Sequence, residues 1–193
     1  MARKYDKIEV LVRGMNLIRE QGYSKTGINE ILKVCGIPKG SFYNFFESKE
    51  DFGFQAIDLY SNFIRKMYLQ FDSAEDLSPY ERIAGYYALS NESFRKEGCR
   101  LNCLLLSLSN EISESNSTFA HRVHESFESF KVYLVKWIRQ GQEDGSLRKD
   151  SPAEEMADFL YDSYHGAIIR MKYVGNCGPL EAFLKHHLPF IQT

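Results

Sequence analysis

A chain of 193 residues that is 44% hydrophobic and 14% aromatic can bury a substantial core, as one domain or two small ones. Arg3, Lys4, Asp6, Lys7, Glu9 and Arg13 exclude the apolar stretch of a signal peptide, and no later run approaches membrane-spanning length, so the expected location is the cytoplasm with no membrane partner. Net charge is −2, but residues 1–50 hold 9 Lys+Arg against 6 Asp+Glu while the remainder holds 15 against 20, so the amino-terminal end is the positive one.

Apolar residues recur at intervals of three and four, with no strand alternation, so the reading is all-α. A first helix is expected from Lys4 to Gln21, with Ile8, Leu11, Val12, Met15 and Ile18 on its apolar face and Gly22 as its stop. Thr26 is placed to cap a second helix, Gly27 to Val34; Gly36 supplies a tight turn, and Pro38 opens a third helix, Lys39 to Phe45. Ser48 with Asp51 reads as a capping box for a long fourth helix carrying Phe52, Ala56, Leu59, Tyr60, Phe63, Met67 and Phe71. Ser78-Pro79-Tyr80-Glu81 and Ser151-Pro152-Ala153-Glu154 each pair a serine cap with proline and glutamate, starting helices near 79–96 and 152–173. Helices around Leu101 to Ile112 and Ser117 to Gly141 lie between them, and Gly178-Pro179 opens a last helix through about Ile191, making nine.

The segment Ile37-Pro38-Lys39-Gly40-Ser41-Phe42-Tyr43-Asn44-Phe45-Phe46-Glu47-Ser48-Lys49-Glu50 has the chemistry of a groove-reading helix. Gly40 and Ser41 lack bulk at its exposed start, so backbone can approach base edges and a hydroxyl can donate or accept. Lys39 can reach a guanine edge or a phosphate, and Tyr43 can offer its phenol to phosphate. Ser24, Lys25 and Thr26 before the second helix, and Lys49 at the fourth, are placed to hold phosphates near helix N-termini. Phe42, Phe45 and Phe46 read as core, and so does Cys35.

This segment strongly resembles the TetR family of bacterial regulators, whose pattern runs roughly Lys-Gly-Ser/Thr-Phe/Leu-Tyr-His-Tyr/His-Phe, two residues, then Lys-Glu. Gly22-Tyr23 and Ile28 to Ile37 match the family's first two helices, so the specific likeness covers about residues 5–55. Asn44 stands where the family has histidine. The resemblance implies a nine-helix fold, with a helix-turn-helix DNA-binding head over residues 1–50 and a ligand-binding and dimerisation body over 51–193. It implies a homodimer on a double-stranded operator, released by a small-molecule effector, with no cofactor. It also implies an effector site among the fourth to eighth helices, for which Phe94, Cys103, Phe127, Phe130, Trp137, Tyr161, Tyr164 and His165 are candidates beside Tyr87, Tyr133 and Arg170. Phe159, Ile168, Met171, Phe183, Leu184 and Leu188 of the last two helices would form the dimer surface.

The cysteines Cys35, Cys99, Cys103 and Cys177 form neither a dense disulfide framework nor a paired zinc motif, so reduced thiols are expected. Cys103, followed by Leu104, resembles a Gly-Cys-Leu segment of one family branch with cysteine-based sensing, and Arg100 with a helix N-terminus would favour its thiolate. Cys99 and Cys103, four apart, would share one helical face. Sensing through Cys103 is therefore one alternative; a helical interaction module that does not bind DNA is another. Neither His186-His187 nor the scattered carboxylates have the spacing of a catalytic or metal constellation, which argues against an enzyme.

Overall fold

The computed structural model describes residues 5–112 and 117–193. The chain folds into nine α-helices among these residues: α1 (Lys7–Gln21), α2 (Ile28–Cys35), α3 (Lys39–Phe45), α4 (Lys49–Asp72), α5 (Pro79–Lys96), α6 (Leu104–Ile112), α7 (Ser117–Asp144), α8 (Ala153–Val174) and α9 (Gly178–Ala182). After α9 the backbone continues as a π-helical turn (Phe183–His187) and a 3-10 turn (Leu188–Ile191). Pro189, which has no N–H to give, falls within that tightened end. The residues of the expected start at Lys4 lie outside the described part of the chain.

Local chemistry explains most boundaries. Asp6 caps α1, its carboxylate accepting from the Ile8 and Glu9 N–H groups. Ser78 and Glu81 form the expected reciprocal box at α5. Ser48 Oγ accepts from Asp51 N at 3.0 Å, but the Asp51 carboxylate takes the N–H of Glu47, one residue further back than expected. Two expected caps are corrected. Thr26 does not cap α2; its hydroxyl is buried and donates to Gly22 O at 2.6 Å, leaving Gly27 as cap with its N–H on the Glu30 carboxylate. Ser151 does not cap α8, whose cap position is Pro152 without a side-chain bond; Ser151 instead offers its carbonyl to Gln142 Nε2 at 2.9 Å.

By its internal contacts the chain divides into two units, and the division differs from the expected one at residue 50. The first unit joins Met1–Asn62 to Asn102–His124, so α6 and the start of α7 belong with the amino-terminal helices. Its core is Leu11, Met15, Ile18, Ile31 and Ile37 around a ring cluster of Phe42, Phe46 and Phe52, with centroids 5.0 Å apart for Phe42–Phe46 and Phe46–Phe52. Each wholly buried ring contributes about 1.5–3 kcal/mol over an exposed one. The expected α1 face is corrected at Ile8 and Val12, 53% and 38% exposed, while Val10 is buried instead. Phe45 is only half-buried, as is Cys35, whose thiol burial pushes to a higher pKa.

The second unit comprises Phe63–Leu101 and Glu125–Thr193. Tyr68, Tyr86, Tyr87, Phe94, Phe130, Trp137, Tyr164 and Phe183 dominate its core. Phe63, expected in the core, is 50% exposed, and Phe71 is half-buried against Gly85. Ile168, Met171, Phe183 and Leu188, assigned by resemblance to a dimer surface, are buried within this unit, which corrects that assignment.

α5 ends in a Schellman turn: Gly98 N donates to Arg95 O and Cys99 N to Phe94 O. Residues 97–103 are therefore not helical, and Cys99 and Cys103 share no helical face. Where four reduced thiols were expected, Cys99 and Cys177 are joined here in a disulfide, Cα–Cα 5.4 Å.

Gly36 closes α2 in the left-handed region at φ 65°, and Ile37 N donates to Leu32 O at 3.1 Å. A side chain there meets open space but disfavoured backbone. Gly36→Ala should therefore destabilise the fold by about 1 kcal/mol, read as a lowered midpoint in thermal or urea unfolding.

Candidate nucleic-acid interface and effector core

The seven residues of α3 divide cleanly by helical period. Phe42 is wholly buried and anchors the helix, whereas Lys39, Gly40, Tyr43 and Asn44 lie on the outward side and are exposed, Tyr43 at 46%. Beyond its chain neighbours and its own helix backbone, no atom of the described residues lies within 4 Å of where a Gly40 side chain would begin. Ser41 is half-buried, and the Lys39 ammonium sits 5.9 Å from the Tyr43 ring. The outward face thus presents a cation, a phenol, an amide and bare backbone.

The turn between α1 and α2 supplies the flank. Ser24 and Lys25 are exposed, but two expected phosphate ligands are turned elsewhere. Thr26 spends its hydroxyl on Gly22 O. Lys49 donates to Tyr23 O at 2.7 Å with its ammonium 4.1 Å from the Tyr23 ring centroid, and burial lowers its pKa. Burial, with Glu50 beside it, also pushes the Tyr23 phenol up to about 12.

The residue that organises this turn is Glu111, which the sequence reading did not single out. Its carboxylate accepts from Tyr23 N at 3.2 Å and Ser24 N at 2.7 Å. The cradle requires Gly22: at φ 98° a side chain is disfavoured, and its Cβ would stand 2.2 Å from Glu111 Oε1. At the other end of α6, Arg19 Nε donates to Asn102 O at 2.7 Å while Asn102 N donates to Arg19 O at 3.3 Å. Arg19 is 4% exposed, its guanidinium 5.5 Å from the Tyr60 ring. Glu111 carried no sequence signal because an acidic residue late in an apolar helix has no period or motif that names its partner.

The expected effector residues resolve into separate groups. In the second unit Phe127, Tyr161 and His165 pack together, Tyr161–His165 at 4.4 Å and Phe127–His165 at 5.2 Å. Tyr164 packs on Tyr87 at 4.7 Å, its phenol bonded to Ser90 Oγ and Asn91 Oδ1 at 2.8 Å each. Phe130 and Trp137 each lie 5.9 Å from Tyr68, which stacks on Tyr86 at 3.8 Å. Trp137 Nε1 donates to Asp72 at 3.0 Å; burial raises that carboxyl's pKa, but bonds from Lys136 and Trp137 outweigh it and the net shift is downward. Phe94 is buried at the end of α5. Cys103 is buried and free just ahead of α6, in the first unit rather than with these rings. Tyr68, Tyr86, Ser90 and Asn91 were missed as members; only their packing against the expected rings reveals them. The Tyr87 phenol is wholly buried with no hydrogen-bond partner among the described residues, and burial raises its pKa well above the ordinary value.

Burial lowers the His165 pKa to about 4, so the folded protein holds a neutral imidazole at pH 7. Between about pH 4 and the ordinary value of 6.5 the unfolded chain binds the extra proton, so stability rises with pH across that window and is lost as pH falls through it. The thermal midpoint should drop between pH 6.5 and 4, and His165→Asn should flatten that drop; an equally steep profile in the variant would refute the assignment.

Comparison with known proteins agrees with this geometry. Residues 10–55 match the family described as "Bacterial regulatory proteins, tetR family", and residues 79–187 match "Tetracyclin repressor-like, C-terminal domain". The HTH-type transcriptional repressor DhaR of Mycobacterium sp. (strain GP1) is 35% identical over 185 residues, covering 95% of this chain and 91% of its own. The HTH-type transcriptional repressor NemR of Escherichia coli (strain K12) is 28% identical over 95% of this chain and 92% of its own. A crystal structure of a regulatory protein TetR from Rhodobacter sphaeroides is 26% identical, covers 97% of this chain and 100% of its own, and superposes with a TM-score of 0.91. With family matches over both parts of the chain and a relative 35% identical over most of its length, this chain belongs to the TetR family of bacterial transcriptional regulators.

Proposed function

We propose that this protein is a transcriptional repressor that binds double-stranded operator DNA as a homodimer and is released by a small-molecule effector. The observation that carries the DNA reading is the outward face of α3, where Lys39, Gly40, Tyr43 and Asn44 project while Phe42 holds the helix in the core. Gly40 and Ser41 are assigned to base edges, and Lys39, Tyr43, Ser24 and Lys25 to positioning on phosphates. Lys49 and Thr26 act indirectly, by shaping the turn that presents Ser24 and Lys25.

The effector is assigned to the ring-lined interior of the second unit, where a buried Tyr87 phenol offers an unused donor and His165 is neutral. A buried polar group without a partner costs about 1–3 kcal/mol, which a bound acceptor would recover. For the dimer, α8 presents Phe159, Ile169 and Tyr173, 42%, 48% and 87% exposed, with an open Gly166 between them at helical spacing. Phe159 keeps the place first expected of it, and Ile169 and Tyr173 stand in for the expected residues that are buried. Two heads so paired must meet successive major grooves about 34–36 Å apart.

Gel shifts on the gene's own upstream DNA test the reading: the reduced dimer should bind with an affinity that falls steeply with salt, and failure to bind at low salt would overturn it. Tyr43→Phe should weaken binding about threefold or more on every sequence, whereas Gly40→Val should abolish operator preference with stability unchanged. The double variant Phe159→Glu, Tyr173→Glu should sediment as a monomer and lose operator affinity at concentrations where the parent is dimeric.

A further inference from the structure

Cys99 and Cys177 lie outside both regions assigned above. Cys99 is the last residue of the Schellman turn after α5, and Cys177 immediately precedes α9. Non-covalent bonds within the same unit bring their segments together: Asn91 Nδ2 donates to Leu180 O at 3.0 Å and Arg95 pairs with Glu181 at 3.2 Å. The Cα–Cα separation of 5.4 Å suits a disulfide, and each cysteine residue keeps 8% of its surface exposed. A protein that works on bacterial DNA does so among reducing thiols, where the dithiol is the resting form and a disulfide marks a signal.

We propose that Cys99 and Cys177 form a reversible dithiol–disulfide pair whose closure by a hydroperoxide lowers operator affinity, an inference that rests on the DNA-binding reading for its output. One cysteine sulfur attacks a peroxide oxygen; the O–O bond breaks, water or alcohol leaves, and a sulfenic acid remains. The other sulfur then attacks the sulfenic sulfur, forming the S–S bond and breaking S–O, with the hydroxyl leaving as water. The two electrons that reduce the peroxide come from the two thiols. Small thiols reverse the reaction by exchange. The link pins the α5–α6 connection at Cys99, and three residues along the chain the Asn102 carbonyl accepts from Arg19 Nε of α1 while the Asn102 N–H donates to the Arg19 carbonyl. Cys99 itself sits in the left-handed region at φ 56°, beside Gly98 at φ 71°, so the connection holds a conformation that relaxes readily once untethered.

The test uses the full chain, reduced with dithiothreitol, then exposed to hydrogen peroxide, with peptide mapping and operator gel shifts on the same samples. Oxidised protein should yield a linked Cys99–Cys177 peptide, show an operator Kd raised at least tenfold, and recover both on reduction. Cys177→Ser and Cys99→Ala, two variants in case one folds poorly, should lose the linked peptide and the response, while Cys103→Ser should keep both. Absence of the linked peptide, or an equal loss of affinity in wild type and Cys177→Ser, overturns the proposal. Failure of the reduced protein to bind DNA overturns the regulator reading alone, and the linked peptide still decides the pair.

Discussion

The amino-terminal unit depends on one carboxylate and the backbone it grips. Glu111 takes the N–H groups of Tyr23 and Ser24 in a cradle that only glycine at position 22 permits. Charge-assisted bonds to backbone are stronger than neutral ones, so the last turn of α6 is held firmly on the turn that carries Ser24 and Lys25. Just ahead of α6 the buried Arg19 closes on the Asn102 carbonyl. α6 is thereby fastened at both ends to α1 and the turn after it, and contacts place it with the amino-terminal helices although it lies half a chain away.

That fastening gives the proposed control its route. A helix held in this way moves with the helices it is fastened to, and the α5–α6 connection leads directly into it in the chain. On the proposed reading, effector binding and redox chemistry at Cys99 each act only to the extent that they favour one arrangement over another. No new contact with DNA is required of either signal; a change in where the turn at Ser24 and Lys25 is presented is enough.

The ring cluster of Phe42, Phe46 and Phe52 plays the complementary part. By consuming the inward side of α3 it leaves Lys39, Gly40, Tyr43 and Asn44 no alternative to solvent or DNA. The same physics separates the tyrosines of the second unit: Tyr164 satisfies its phenol on Ser90 and Asn91, while the buried Tyr87 phenol has no hydrogen-bond partner among the described residues. Two residues of one type, packed 4.7 Å apart, thus differ in what they offer a ligand.

Much of this was written in the sequence, because its causes are local. Helical period, the Ser78-to-Glu81 box, the Gly36 turn and the Lys39-to-Phe46 pattern specify helices and the outward face of α3 through neighbours within four residues. What only the tertiary structure decided arises between segments far apart in the chain. Thr26 and Lys49 looked like phosphate ligands until Gly22 and the Tyr23 carbonyl claimed them; Ile168, Met171 and Phe183 looked like dimer residues until the protomer buried them. Glu111 meeting Gly22–Ser24 and Cys99 meeting Cys177, 78 residues apart, have no periodic signature at all. A period reports which side of a helix is apolar, but a partner is fixed only when the whole chain has packed.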